Sequence, residues 1–461
     1  MGLASCRPVL DPSSEEGSSG QSSEVDSDTD SSTENPPSGD DSSDSDGTSD
    51  SEDSGSSEEE ETYDVVCNKM NDFIKNKSFF DIFEIKQALV DAGYNVVAKE
   101  DATEYFGYDK TTNKVAYFKN NEVVFPTSNV KENFYSFKDK SVGDLDSIYS
   151  AMAESNESPW LYTSLKLTAD IQLNQTTNNI VINNSQPIEI NLNGHKIDGG
   201  SMDTAYLNGY NIKCINKDGV VAIVNGAIET FEKSGFDWHY SPACVSLIEG
   251  KSLRITNCTL KNKAERGYSF IDNPKADSNP LCMINDCTIE SKIVGICIQK
   301  GNYIVDHNTV KGTVVINGGK SVVTRNNISA QNIVNDANRL ITDEEILEEC
   351  QNYKLDGYDT FMLTSPDAIL IYDRRSINGT YGSPEVLINN ANTLTCKATT
   401  SEACGYGVRY MDLNFDTTIT QSSHDRGKII VDIETNIFTN LEAGHTSPVG
   451  IKGGVEYFEA N

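Results

Sequence analysis

The sequence predicts a mainly β fold in which one chain coils so that parallel strands stack, preceded by a small α+β module and an acidic tail. Three observations predict it. A six-residue phrase returns six times: "LNGHKI" at 192, "IVNGAI" at 223, "ITNCTL" at 255, "INDCTI" at 284, "VDHNTV" at 305 and "VTRNNI" at 323. Alternating apolar stretches such as "LKLTADIQL" accompany it. Residues 12–62 are Ser, Asp, Glu, Gly and Thr with almost no apolar side chains.

The tail comes first in the chain. Residues 1–62 hold 19 Asp/Glu against one basic residue, Arg7, a net of −18, which leaves −15 of the total −33 for the remaining 399 residues. Such a segment cannot bury enough surface to offset chain entropy, so a disordered tether is expected over 1–62. A flexible chain of about 55 residues spans roughly 40 Å, and more when like charges repel. Acidity throughout argues against a nucleic-acid partner.

"LASC", Leu3 to Cys6, resembles a bacterial lipobox. That resemblance implies cleavage before Cys6, lipid on its thiol, and a leader upstream of Met1, since only five residues precede Cys6. The rival reading, myristoylation of Gly2, prefers Ser or Thr where Cys6 sits. No other segment is apolar enough to span a membrane as a helix.

Residues 63–140 read as the α+β module. "DVVCNKMNDFIKN" places Val65, Val66, Met70, Phe73 and Ile74 near helical spacing. "DIFEIKQALVDAG" opens with Asp81 and Glu84 as a capping-box pair, carries Ile82, Ile85, Leu89 and Val90 as a stripe, and stops at Gly93. "YFGYDKTTNKVAYFKNNEVVFP" alternates and turns twice, at 110–113 and 120–121, a three-strand meander. Residues 141–461 form the coil domain. It begins with a short amphipathic helix at 144–155, placed to cover the open end.

The phrases define the coils. Their spacings, 31, 32, 29, 21 and 18 residues, have no reason to recur at the turns of a two-layer sandwich, whereas a coiled strand ladder lays equivalent positions over one another. First and last positions are apolar and would face inward. The third position holds Gly194, Asn225, Asn257, Asp286, His307 and Arg325. Apart from Arg325, these are types that tolerate a left-handed backbone. The fourth holds His195, Gly226, Cys258, Cys287, Asn308 and Asn326, able to stack inside a bend at about 4.8 Å per layer.

In these residues the chain resembles the right-handed parallel β-helix of pectate-lyase-like proteins. "VDHNTV" and "VTRNNI" are similar to that family's internal Asn-ladder turn, and "INLNGHKIDGG" to its frequent first coil. The resemblance covers residues 160–330 well and 365–461 less regularly, through "AILIYD", "EVLINN" and "KIIVDIETNIF". It implies roughly nine coils, a rod of about 40 to 45 Å. It does not imply an activity, because the fold hosts lyases, hydrolases, epimerases and adhesins.

Two groups stand out as candidate sites. Asp286, His307 and Arg325 share one column with Asp306 beside them, a set able to bind an anionic sugar or move a proton. Turn chemistry explains the same residue types. The lyase and pectin-hydrolase signatures are absent from the sequence. Trp238, His239 and Tyr240, in the insertion at 229–247, offer aromatic faces to a sugar ring. A second insertion, 331–362, contains a predicted helix beginning at Thr342.

The five histidines show no metal-ligand spacing, so neither a metal centre nor a cofactor is expected, although surface carboxylates are compatible with Ca²⁺. Of eleven cysteines, Cys396 and Cys404 are the best placed to bridge, and buried thiols account for the others as well as disulfides would. The expectation is an extracellular, membrane-anchored, monomeric lipoprotein for non-catalytic glycan binding or adhesion, its partner a polysaccharide or a host or cell-surface glycan. The alternative is a polysaccharide lyase or glycoside hydrolase.

Overall fold

The computed structural model describes residues 62–127, 130–173, 179–200, 210–232, 242–264, 267–272, 279–331, 367–373, 384–397, 406–412, 428–439, 449–452 and 456–459. Cys6 and the rest of the tail, Trp238, His239 and Tyr240, and the predicted helix after Thr342 lie outside them. The described chain is mainly β, with three α-helices and a long parallel sheet.

Helix α1, Tyr63–Ile74, buries Cys67, Met70 and Ile74. Val65, expected in its stripe, is 41% exposed, and Cys67 takes the inward place. Helix α2, Ile82–Asp91, begins at Asp81, whose Oδ1 accepts from Glu84 N at 2.9 Å. Only half of the expected capping box forms, because Glu84 Oε2 accepts from Phe80 N, at 2.6 Å, rather than from Asp81 N. Gly93 ends the helix region at φ +87°, a conformation without strain for glycine alone.

The meander is present and gains a strand. β1 (Glu104–Asp109), β2 (Lys114–Lys119) and β3 (Glu122–Phe125) pair antiparallel, and β4 (Phe134–Ser136) adds to the far side of β1. Both predicted turns use left-handed asparagines, Asn113 in one, Asn120 and Asn121 in the other. The short length of β4 hides it from a periodicity argument.

The long sheet opens at Asp139–Val142, which pairs in parallel with Ser164–Leu167. Between them runs α3, Leu145–Glu157, closed by a full capping box in which Asp144 accepts from Ser147 N and Ser147 Oγ accepts from Asp144 N. Its Ile148, Ala151 and Met152 join the same apolar core as Leu165, Leu167 and Ile171. The helix therefore shields the first layer of that core from water.

The remaining strands fall into three parallel ladders. The first runs through Ile188–Asn191, the start of Val220–Glu229, the start of Ser252–Lys261, Leu281–Asn285, Asn302–Asp306, Lys320–Thr324, Glu385–Asn389, Lys428–Val431 and Glu456–Glu459. The second follows a tight bend and links residues 196–198, 227–229, 259–261, 288–290, 309–311, 327–331, 393–397 and 437–439. The third links residues 180–182, 210–215, 243–249, 268–272, 294–298, 313–316, 369–373, 408–412 and 449–452.

Inward side chains from all three ladders meet in one core. All twelve first and last positions of the phrases are fully buried. Their register is that of a stack: Ile223, Ile255, Ile284, Val305, Val323, Ile388 and Val431 lie in line, as do Ile197, Ile228, Leu260, Ile289, Val310, Ile328, Leu394 and Phe438. One expected member is displaced. Ile190, not Leu192, pairs opposite Ile223, so the first bend is two residues longer than the phrase suggests.

The module packs on the outside of the first ladder. Phe83 of α2 is buried with Ala222 and Val224. The Lys86 ammonium pairs with Glu189 and donates to Ser164 Oγ at 2.7 Å, and Arg254 Nε donates to Asp81 Oδ2 at 3.0 Å, all with nearly buried side chains. Glu189, Ala222 and Arg254 stand opposite one another in the register, so α2 reads three successive layers.

Candidate functional site

Seven of the eight described bends between the first and second ladders are built around a left-handed residue; the last, 432–436, is not. Gly194, Asn225, Asn257, Asp286, His307, Arg325 and Asn390 all have positive φ. A left-handed residue at one repeated point turns the chain outward, so its side chain projects to solvent. The next side chain turns inward.

The inward column is a hydrogen-bonded stack. Asn308, Asn326, Asn392 and Asn436 are buried, and each passes an amide hydrogen to the next along the stack, at 3.0, 3.1 and 2.8 Å. Each also donates to a strand carbonyl of the preceding layer: Ile284, Val305, Val323 and Ile388. Cys258 and Cys287 occupy the same slots in neighbouring layers, their thiols directed at Ile223 O and Ile255 O at 3.5 and 3.6 Å. Burial pushes the Cys258 thiol up to about 12.

His195 departs from expectation. It stands outside the stack, its Nδ1 3.4 Å from Asp170, and Leu192 fills the interior beside Gly226. A Cβ at Gly226 would lie 2.3 Å from the Leu192 Cβ, so glycine is required there.

The outward column brings the predicted site residues together in two pairs. His307 Nδ1 lies 2.5 Å from Asp286 Oδ1. Arg325 Nε donates to Asp306 Oδ1 at 2.8 Å, and a second guanidinium nitrogen reaches Oδ2. The hydrogen bonds that Arg325 donates to Asp306 raise the Arg325 pKa further. The side chains of His307, Arg325 and Asp286 are 67%, 61% and 49% exposed. Water screens charges so exposed, and these four residues do not line the groove formed around Lys261, Glu290 and Lys311.

A groove of about 520 Å³ lies instead on the outside of the second ladder, where the chain turns toward the third. Its walls carry Lys261, Lys263, Lys292 and Lys311 against Glu232 and Glu290. Glu229, Lys261, Glu290 and Lys311 are in line in the register, so the groove crosses successive layers. Three such steps span about 14 Å. Lys311 pairs with Glu290 at 2.6 Å, and Lys263 with Asp198 at 2.9 Å. Burial works to raise the Asp198 pKa, but the Gly200 amide and the ammoniums of Lys196 and Lys263 hold it at about 2.

The groove's floor is fixed from below. Thr230 Oγ1 donates to Asn262 Oδ1 at 2.8 Å, and Asn262 Nδ2 donates to Ser291 Oγ at 3.2 Å. These lysines lie outside the six-residue phrase. Lys261, Glu290 and Lys311 each follow the last apolar residue of a phrase, so extending the column alignment by one position would have revealed them.

Among the described residues no group of three or more His, Cys, Asp and Glu could hold a metal ion. Six cysteines, Cys67, Cys214, Cys244, Cys258, Cys282 and Cys287, are buried free thiols. Cys396 directs its thiol to Tyr406 O at 2.8 Å, and its expected partner Cys404 lies outside the described residues. No described helix is long and apolar enough to cross a membrane. No protein-family model matches the chain, and neither the curated proteins nor the solved structures give a match.

Proposed function

We propose that the chain is a lipid-anchored cell-surface protein that binds an acidic polysaccharide without cleaving it. Its three ladders close as a right-handed parallel β-helix, and an acidic tether behind Cys6 holds it off the membrane. The observation that carries the binding reading is the lysine-lined groove. It crosses several layers of the stack, as suits a linear polymer, and it gathers four ammoniums on a body whose net charge is −15. The β-helix is supported by the three ladders, the left-handed bend column and the asparagine stack.

The test is binding of the full chain to polygalacturonate, alginate and a neutral glucan. Acidic polymers bind, the neutral one does not, and K261E/K292E/K311E weakens binding about tenfold or more. Rising salt weakens it as well, because the contacts are exposed. Equal binding by the triple variant, or none by wild type, overturns the reading.

The Asp286–His307 pair favours a second reading, acid–base cleavage on the outward bend column. Unsaturated ends or new reducing ends appearing with wild type, and lost in H307A, would establish it. We expect neither.

A further inference from the structure

A cavity of about 630 Å³ lies in the helix–meander module, away from the groove. Helix α1, the loop into α2, the β1–β2 turn and the end of β3 enclose it. Phe79, Tyr108 and Phe125 line it with partly exposed rings. A folded module ordinarily buries such rings, as this one does with Phe118 and Phe134. Here the apolar surface is left open inside a concavity of a size that takes small molecules. The wall is held in place by Asn71, which accepts from Val115 N at 2.7 Å and so pins α1 to β2.

The rim is basic. Lys75 and Lys77 stand at the C-terminal end of α1, Lys114 reaches the cavity from the facing strand, and Asp72 is the one carboxylate in the lining. Three ammoniums over an aromatic floor suit a ligand with a flat apolar body and an anionic head. We infer that this cavity is a binding site for a small aromatic or alicyclic carboxylate or sulfonate. The site is independent of the proposed polysaccharide groove. The rings take the apolar body by stacking and desolvation, and Lys114 takes the head group.

Calorimetric titration of the full chain with 2-naphthoate and its neutral isostere 2-naphthamide tests this. Naphthoate binds, and naphthamide binds about tenfold more weakly or worse. K114E weakens naphthoate about tenfold and leaves naphthamide unchanged, while Y108A weakens both. The groove variant K261E/K292E/K311E leaves naphthoate binding intact. Because Tyr108 is partly buried, the thermal midpoint of Y108A is checked first. K114E changes an exposed side chain and keeps the test decisive if Y108A unfolds. No naphthoate binding, equal affinity for the amide, an unaffected K114E, or loss of binding in the groove variant overturns the proposal.

Discussion

Arg325 and Asn326 are neighbours with opposite duties. Arg325 adopts φ +54° and projects into solvent, where its pair with Asp306 is screened. Replacing it with glycine removes an exposed ion pair and relieves a left-handed backbone, two small effects of opposite sign. R325G should therefore keep stability within about 1 kcal/mol of wild type. Asn326 is buried, donates to Val305 O and Asn392 Oδ1, and accepts from Asn308. N326A strands these partners in the interior and should cost about 2–3 kcal/mol, read from urea unfolding midpoints. A similar loss in both variants would contradict this division of roles.

Asp272 gives a pH dependence. It lies fully buried at an inward position of the third ladder, opposite Leu247 in the register. Burial raises its pKa well above the ordinary carboxylate range, against the help of the Lys300 amide at 3.1 Å. The folded state thus holds a proton that the unfolded state releases above its ordinary pKa. Stability attributable to this group is present at low pH and is lost as pH rises toward the folded pKa. D272N should raise the thermal midpoint at neutral pH, and the gain should vanish as pH falls through the ordinary carboxylate range. A gain independent of pH would mean that the carboxyl's charge is not the cause.

At the scale of elements, α2 is fastened to the first ladder by two buried ion pairs. Removing Lys86 alone leaves Glu189 charged and enclosed, so K86M should cost about 3–5 kcal/mol. Replacing both, as K86M/E189L, removes the uncompensated charge and should recover most of that loss. A double-mutant cycle by equilibrium unfolding measures it, and additive losses would mean that the pair does not act as a unit.

Which elements the sequence reveals follows from how local their causes are. The bends are legible because a left-handed residue, an inward small or amide side chain and flanking apolar residues sit within six positions. The same bend near residue 390 is harder to read. Ile388 to Leu394 uses seven residues and Val431 to Phe438 uses eight, so Asn392 and Asn436 fall out of the six-residue spacing while joining the same stack. Leu192 misleads for the converse reason. It fits the phrase locally, but the register of Ile190 against Ile223 is set by pairing across layers. The α2 contacts with Glu189 and Arg254 join residues more than a hundred positions apart and carry no local signal.

At the scale of the whole molecule, parallel strands that pair only with the layers next to them make stability close to a sum over layers. The end layers are then the vulnerable ones, and α3 protects one of them. Layering also makes the proposed groove, since Lys261 and Lys311 approach only through the shared register with Glu290. Membership of a membrane fraction tests the proposed anchor: C6S should move the protein to the soluble fraction without altering polysaccharide binding. Retention of C6S on membranes would remove Cys6 from the account.

Cys258 and Cys287, enclosed side by side where other layers carry asparagine, offer a built-in clock. A thiol so protonated and so hidden cannot meet an alkylating reagent until its own layer parts. The speed at which iodoacetamide marks these two sulfurs would time the breathing of the central layers, and a polymer lying across the neighbouring groove would slow it.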